Sequence, residues 1–155
     1  MNKILINFLT ILFLLFLTNC GYKINKITKN YYLVNLDIQG DRKNTTKLKN
    51  FLTETNDINV ANKLSLEIDL KSSQSVKNKS KTGSVTSYNL SFLADAEFIL
   101  ENKKIKKKFF AGKSYDVSTN HSTTIYNEKK AKEDLLKEIA DQIFDYLNFS
   151  FKNVS

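Results

Sequence analysis

The chain of 155 residues contains no proline and no tryptophan, only four glycines, and a single cysteine and histidine. Without proline or glycine runs, collagen-like and Pro-rich linker architectures are excluded. One cysteine cannot close an internal disulfide, and one cysteine with one histidine cannot assemble a zinc ligand cluster or a Cys/His dyad. That histidine, His121, lies in a polar Ser/Thr stretch and reads as a surface residue. No Gly-x-Ser-x-Gly elbow is present. Gly112-Lys113-Ser114 imitates the end of a phosphate-binding P-loop, but Lys107 stands where the first glycine would have to be. The carboxylates fall on alternating polar positions of strand-like segments or on the polar side of a helix pattern. The expectation is therefore a protein that is not an enzyme, with no catalytic residues, no metal and no cofactor.

Arginine is almost missing as well. Arg42 is the only one, so the 24 basic residues are nearly all lysine; against 16 acidic residues they leave a net charge of +8. With 41% hydrophobic and 26% charged residues, the length suits one globular domain.

What is present begins with an address. Lys3 supplies a positive start, Phe8 to Leu17 is an apolar run, and Leu17-Thr18-Asn19-Cys20 closes it, so residues 1–19 read as an export signal. As a helix, Ile4 to Leu17 would rise about 21 Å against a hydrocarbon core of about 30 Å, too short to span. The closing LTNC followed by Gly21 resembles a bacterial lipobox, with Asn19 where a small residue is usual. The resemblance implies a diacylglycerol thioether and an N-acyl chain on Cys20. Two or more chains are what stable anchoring requires. Residues 20–155 are then a single lipid-anchored domain facing the periplasm, and Gly21, in place of the Asp that usually accompanies inner-membrane retention, suggests the outer membrane.

The remainder alternates between two periods. Tyr32 to Gln39 places Val34, Leu36 and Ile38 on one face, a half-buried strand ended by Gly40-Asp41. Asn44 to Thr55 spaces Leu48, Phe51 and Leu52 as a helix behind Asp41 and Asn44 as possible caps. Lys63 to Lys71 alternates strictly through Leu64, Leu66, Ile68 and Leu70. After a polar stretch, Ser72 to Gly83, a second alternation carries Leu90, Phe92, Ala94, Ala96, Phe98 and Leu100 to one side. A turn at Glu101 to Lys104 leads into Ile105 to Val117, with Ile105, Phe109, Tyr115 and Val117 expected inward. Asn127 to Phe149 sets Ala131, Leu135, Ile139, Ile143, Tyr146 and Leu147 on one stripe of an amphipathic helix. The order strand-helix-strand-strand-strand-helix predicts a two-layer α/β (α+β) sandwich with a mixed four-stranded sheet, its first two strands parallel and the rest antiparallel.

Positive charge is concentrated. Lys71 to Lys108 holds nine lysines against Asp95, Glu97 and Glu101, whereas the C-terminal helix holds more acids than lysines. A meander puts its two turns at opposite ends of the sheet, so Lys77, Lys79 and Lys81 form a tip distal to Cys20. Lys103, Lys104, Lys106, Lys107 and Lys108 form a proximal patch suited to the anchoring membrane or a partner. The distal NKSKTG stretch reads as a loop able to order around a phosphate-bearing headgroup. Nucleic acid is not an expected partner of an exported lipoprotein, and for both patches the plain alternative is solvated lysine that discourages edge pairing.

The whole mature pattern resembles the lipopolysaccharide-assembly lipoprotein family, the LptE type, especially its alphaproteobacterial members. The resemblance rests on Cys20-Gly21-Tyr22, on Arg42 to Leu52, on SYNLSFLADAEFIL, and on the strand, Tyr-bearing loop and final helix of Ser114 to Leu147. Thr86-Ser87 departs from the arginine that many members carry before the third strand, and Ile125-Tyr126 from a Tyr-Ala pair. The family implies a non-enzymatic outer-membrane partner of the LptD-type β-barrel that plugs its lumen and assists lipopolysaccharide transfer. With lipopolysaccharide as the anionic partner that this resemblance implies, the distal tip makes Lys77, Lys79 and Lys81 the candidates for contact with its phosphates. An auxiliary lipoprotein of another envelope transporter, such as an ABC-type lipid system, is the alternative.

Overall fold

The structure is a computed structural model that describes residues 31–53, 62–100 and 103–150. The export signal, Cys20 and the Glu101-Asn102 pair of the expected turn lie outside the described residues. The elements are β1 (Tyr31–Gly40), α1 (Arg42–Thr53), β2 (Asn62–Lys79), β3 (Val85–Leu100), β4 (Lys103–Asp116) and α2 (His121–Ser150). They form one four-stranded sheet in the order β1-β2-β3-β4, with β1 and β2 parallel and the two remaining pairings antiparallel, as the alternation predicts.

The apolar alternation decides which side of the sheet is covered. Leu64, Leu66, Ile68 and Leu70 of β2 and Leu90, Phe92, Ala94, Ala96 and Phe98 of β3 are buried in one cluster with Leu48 and Leu52 of α1 and Leu135, Ile139, Ile143 and Leu147 of α2. Both helices therefore lie on the same face, and each large side chain sealed there contributes about 1.5–3 kcal/mol of burial. Phe98, Phe109 and Tyr146 close the end of this core near the β3–β4 turn with ring centroids 5.1–6.2 Å apart.

Local chemistry sets the boundaries. Asp41 caps α1: its Oδ1 accepts the N–H groups of Lys43 and Asn44 at 3.1 Å, so the helix opens at Arg42, ahead of the expected Asn44. α2 opens at His121, six residues before the expected start, because Asn120 Oδ1 accepts the Ser122 N–H at 2.9 Å and Thr124 Oγ1 ties back to Ser118. Its apolar stripe begins only at Ala131, which is why periodicity alone sees a shorter helix.

The largest departure from expectation lies in the polar stretch. Ser72 to Lys79 is not loop; it continues β2, paired with β3 from Ser72↔Phe92 to Lys79↔Val85. The chain reverses in a tight turn, with the Gly83 N–H donating to the Ser80 carbonyl at 3.0 Å and the Ser80 N–H to the Ser84 carbonyl at 2.8 Å. Gly83 has φ of 84°, the left-handed position that a three-residue hairpin loop needs. The NKSKTG stretch is thus the end of a strand and a closed turn. In β4, Phe109 and Tyr115 are buried as expected, but Ile105 is exposed and Val117 lies just past the strand, its N–H donating to the Thr86 carbonyl at 2.9 Å.

Candidate functional site

Strand directions define two ends. Tyr31 starts β1 beside Asn62, which starts β2, and Leu64 pairs with Leu100 at the close of β3, so the chain enters the domain at the end that also carries the β3–β4 turn. The β2–β3 turn is at the other end. Lys77, Lys79 and Lys81 accordingly sit far from the point of entry and Lys103 to Lys108 close to it.

At the distal end β2, β3 and β4 run past the end of β1. Between Asp69 and Asp95 the chain carries no carboxylate, so lysines accumulate there uncompensated. Lys81 is on the turn and Lys79 at the last strand position, both exposed. Lys77 sits at a β-bulge between Val76 and Asn78 and reaches across β3 to donate to Ser114 Oγ at 2.9 Å. Among the described residues none of the three is in an ion pair, nor are Arg42 and Lys43 at the start of α1. On the helix-facing side this extension is stiffened by stacked Tyr88 and Tyr115, centroids 5.6 Å apart, and by Gln74 Nε2 donating to Tyr115 Oη at 2.9 Å. Burial pushes the Tyr115 hydroxyl pKa up, with Glu128 adding to the effect.

Below the tip, an open cleft of about 640 Å³ lies between the first turn of α1, the β2 residue Ser72 and the early part of α2. Lys43, Lys47, Lys129 and Lys132 line it together with Ile125, which is half exposed. Two of these cations are matched: Lys47 pairs with Glu133 at 2.7 Å and Lys132 with Glu128 at 2.5 Å. The Lys47 ammonium holds the Glu133 carboxyl below its ordinary range. This cleft escapes a sequence reading because its walls come from positions some 80 residues apart; the only local signal is the Asp41-capped, lysine-bearing first turn of α1.

The proximal lysines are arranged differently from a free patch. Lys104, Lys106 and Lys108 alternate on the uncovered face of the sheet and form a ladder with β3. Lys108 lies 2.9 Å from Asp95, while Lys104 and Lys106 lie 2.8 and 3.2 Å from the two oxygens of Glu97. Lys71 joins from β2, 2.7 Å from Asp69 and 3.7 Å from Asp95. Hydrogen bonds from these ammonium groups, Lys108 to Asp95 and Lys104 to Glu97 foremost, pull both carboxyls below the ordinary range; Glu97 and Asp69 raise Lys104 and Lys71 in turn. Lys107 points to the covered face, 5.8 Å over the Tyr146 ring. Of the five proximal lysines, three are thus ion-paired with two carboxylates within the fold and one rests on an aromatic ring. The register could have revealed this, because Asp95↔Lys108, Glu97↔Lys106 and Ile99↔Lys104 are all centred between residues 101 and 102, where the expected turn falls.

His121 is the exposed first residue of α2, and Gly112-Lys113-Ser114 lies inside β4, where Lys113 pairs with Asp134 at 2.5 Å. Among the described residues no group of His, Cys, Asp and Glu is placed to hold a metal ion, and no helix is long and apolar enough to cross a membrane.

This two-layer fold, one four-stranded sheet with a parallel crossover, a long meander and both helices on one face, is similar to those of solved bacterial lipoproteins. Rare lipoprotein B of Shewanella oneidensis superposes with a TM-score of 0.61 at 16% identity, over 81% of this chain and 98% of its own. Lipoprotein B of Nitrosomonas europaea does so with a TM-score of 0.52 at 12% identity, over 78% and 87% of the two chains. The likeness is one of fold. No family model and no curated protein matches the sequence.

Proposed function

We propose that this protein is an outer-membrane lipoprotein, tethered through lipid on Cys20, that partners an LptD-type β-barrel in assembling lipopolysaccharide at the cell surface. The observation that carries the reading is the polarity of the body. The chain enters at one end, and an acid-free hairpin with Lys77, Lys79 and Lys81 stands at the other, over a cleft in which four lysines outnumber Asp41 and Glu128. A tethered body of that form presents cations away from its anchor, where a phosphate-bearing lipid can meet them. The fold shared with named lipoproteins and the lipobox-like LTNC support the tether, and the family resemblance of Ser87 to Leu147 supports the assembly role.

The uncovered face of the sheet carries the ladder of lysines paired with Asp95 and Glu97 beside the exposed Phe110, and the charged part suits a water-filled lumen. Crosslinking and affinity purification of the full-length chain from native envelopes tests the reading. A large outer-membrane β-barrel should be recovered in equal amount, and its correctly assembled level should fall on depletion of this protein. Recovery of an ABC-type lipid transporter in its place, with the barrel level unchanged, would overturn the assignment in favour of the auxiliary-lipoprotein alternative.

A further inference from the structure

The sheet is open along part of its β1 side. β1 ends at Gly40, opposite Leu70, whereas β2 continues to Lys79, so Lys71–Lys79 has a partner on the β3 side only. All nine residues are exposed. Alternate residues of a strand turn their N–H and C=O groups toward opposite neighbours, so this stretch offers main-chain donors and acceptors already set at ladder spacing. The opposite edge of the sheet is not equivalent. Along β4, Gln142 of α2 donates to the Phe110 carbonyl at 3.0 Å and Asn127 to the Asp116 carbonyl at 3.1 Å, so α2 already occupies parts of that edge.

We infer that the Lys71–Lys79 edge receives an extended acidic segment of a partner protein as an added strand, in the sheet position that β1 vacates after Gly40. Three observations select that occupant. Lys77, Lys79 and Lys81 have no carboxylate partner among the described residues, and none occurs in the sequence between Asp69 and Asp95. Acidic side chains on an incoming strand would supply what is missing. A second copy of this chain is disfavoured by the same charges: it brings the same lysines and, between Asp69 and Asp95, no carboxylate to match them, and like charges brought together across a strand pair are destabilising. Finally, the edge residues Ser72, Ser73, Gln74 and Ser75 form no apolar pockets. Main-chain hydrogen bonds then supply the affinity and charge the selectivity. The bulge after Val76 ends the regular register, so the ladder covers Lys71–Val76 and the lysines beyond it act on the flanking side chains.

The probe is a fluorescent nonapeptide alternating threonine and glutamate, titrated at low salt into the full-length chain in detergent, beside the same peptide N-methylated at every second residue. Strand addition requires the unmodified peptide to bind about tenfold or more tightly than the methylated one, with slowed amide hydrogen exchange confined to residues 71–76. Lys77→Glu combined with Lys79→Glu should weaken the glutamate peptide and strengthen a threonine–lysine peptide. Equal binding of the methylated peptide, protection along β4 instead, absence of binding, or a dimer abolished by Ser75→Pro would each overturn the proposal. None of these outcomes depends on whether a β-barrel co-purifies, so this inference and the envelope role fail separately.

Discussion

Gly40 stands directly against Leu70 as the last pair of the parallel β1–β2 ladder, so close that a Cβ on Gly40 would run into the Leu70 carbonyl oxygen. Its φ of 137° is also one that side-chain-bearing residues rarely adopt. The contact fixes where β1 stops and α1 begins, and with it the length of free β2 edge.

Gly40→Ala should therefore destabilise the domain by about 2 kcal/mol or more, strain and backbone collision acting together. Gly83→Ala is the control. Gly83 shares a positive φ, but its surroundings are empty, so the loss should be smaller. Urea unfolding of both variants compares them; equal losses would show that the Leu70 contact carries no weight.

Acid should weaken the fold through a defined set of carboxylates. Asp95, Glu97, Glu133 and Asp134 are all held below the ordinary range by lysine partners. A depressed folded-state pKa contributes stability that is present above the unfolded value and is lost as pH falls through the folded one. The melting temperature should hold above about pH 5 and decline from about pH 4 downward. The pairs are exposed, so the acid limb should be shallow and should flatten further in 1 M salt. Glu97→Gln should remove part of the slope, as melting curves across pH would register.

Cys20→Ser should leave the chain as unprocessed precursor or as a soluble periplasmic protein, because no second cysteine exists to form a thioether. Intact mass of the mature N-terminus decides this. An unmodified Cys20, or cleavage at another bond, would end the lipoprotein reading.

Replacing Lys77, Lys79 and Lys81 together by glutamate should strongly reduce lipopolysaccharide binding without changing the melting temperature, since all three are exposed and outside the core. A lysine offers a compact charge without the bidentate fork of arginine, so the contacts should be several and salt-sensitive. The matching change at Lys104, Lys106 and Lys108 removes the partners of Asp95 and Glu97 and should lower stability first. If binding is lost only in that second variant, the roles of the two ends are reversed.

The parts of this fold legible in the sequence are those whose burial is one-sided. Leu64 to Leu70 and Leu90 to Leu100 announce their strands because every second residue meets the helices. Ser72 to Lys79 is a strand for another reason: β3 continues beside it, and the hydrogen-bonded ladder propagates where no apolar pattern marks it. The early start of α2 depends on Asn120 and Thr124, capping chemistry lying ahead of the first buried residue. As for the lysines, sequence distance from the entry point suffices to place Lys77, Lys79 and Lys81, but their lack of an ion pair among the described residues, and the pairing of Lys104, Lys106 and Lys108, are properties of cross-strand register.

α2 follows the end of β4 and so begins near the end of the sheet that carries the lysine tip, whereas α1 begins where β1 stops opposite Leu70, nine residues of β2 short of that end. The aligned peptide groups of α2 place about half a positive charge at its N-terminus, on the side of Lys77, Lys79 and Lys81, while Glu138, Asp141 and Asp145 lie in its later turns. Cations without an ion pair therefore gather at the hairpin, while at the entry end Lys104, Lys106 and Lys108 are held by Asp95 and Glu97. An anionic surface pulls hardest on charges free to face it, so the hairpin is the part of the domain drawn toward such a surface before contact.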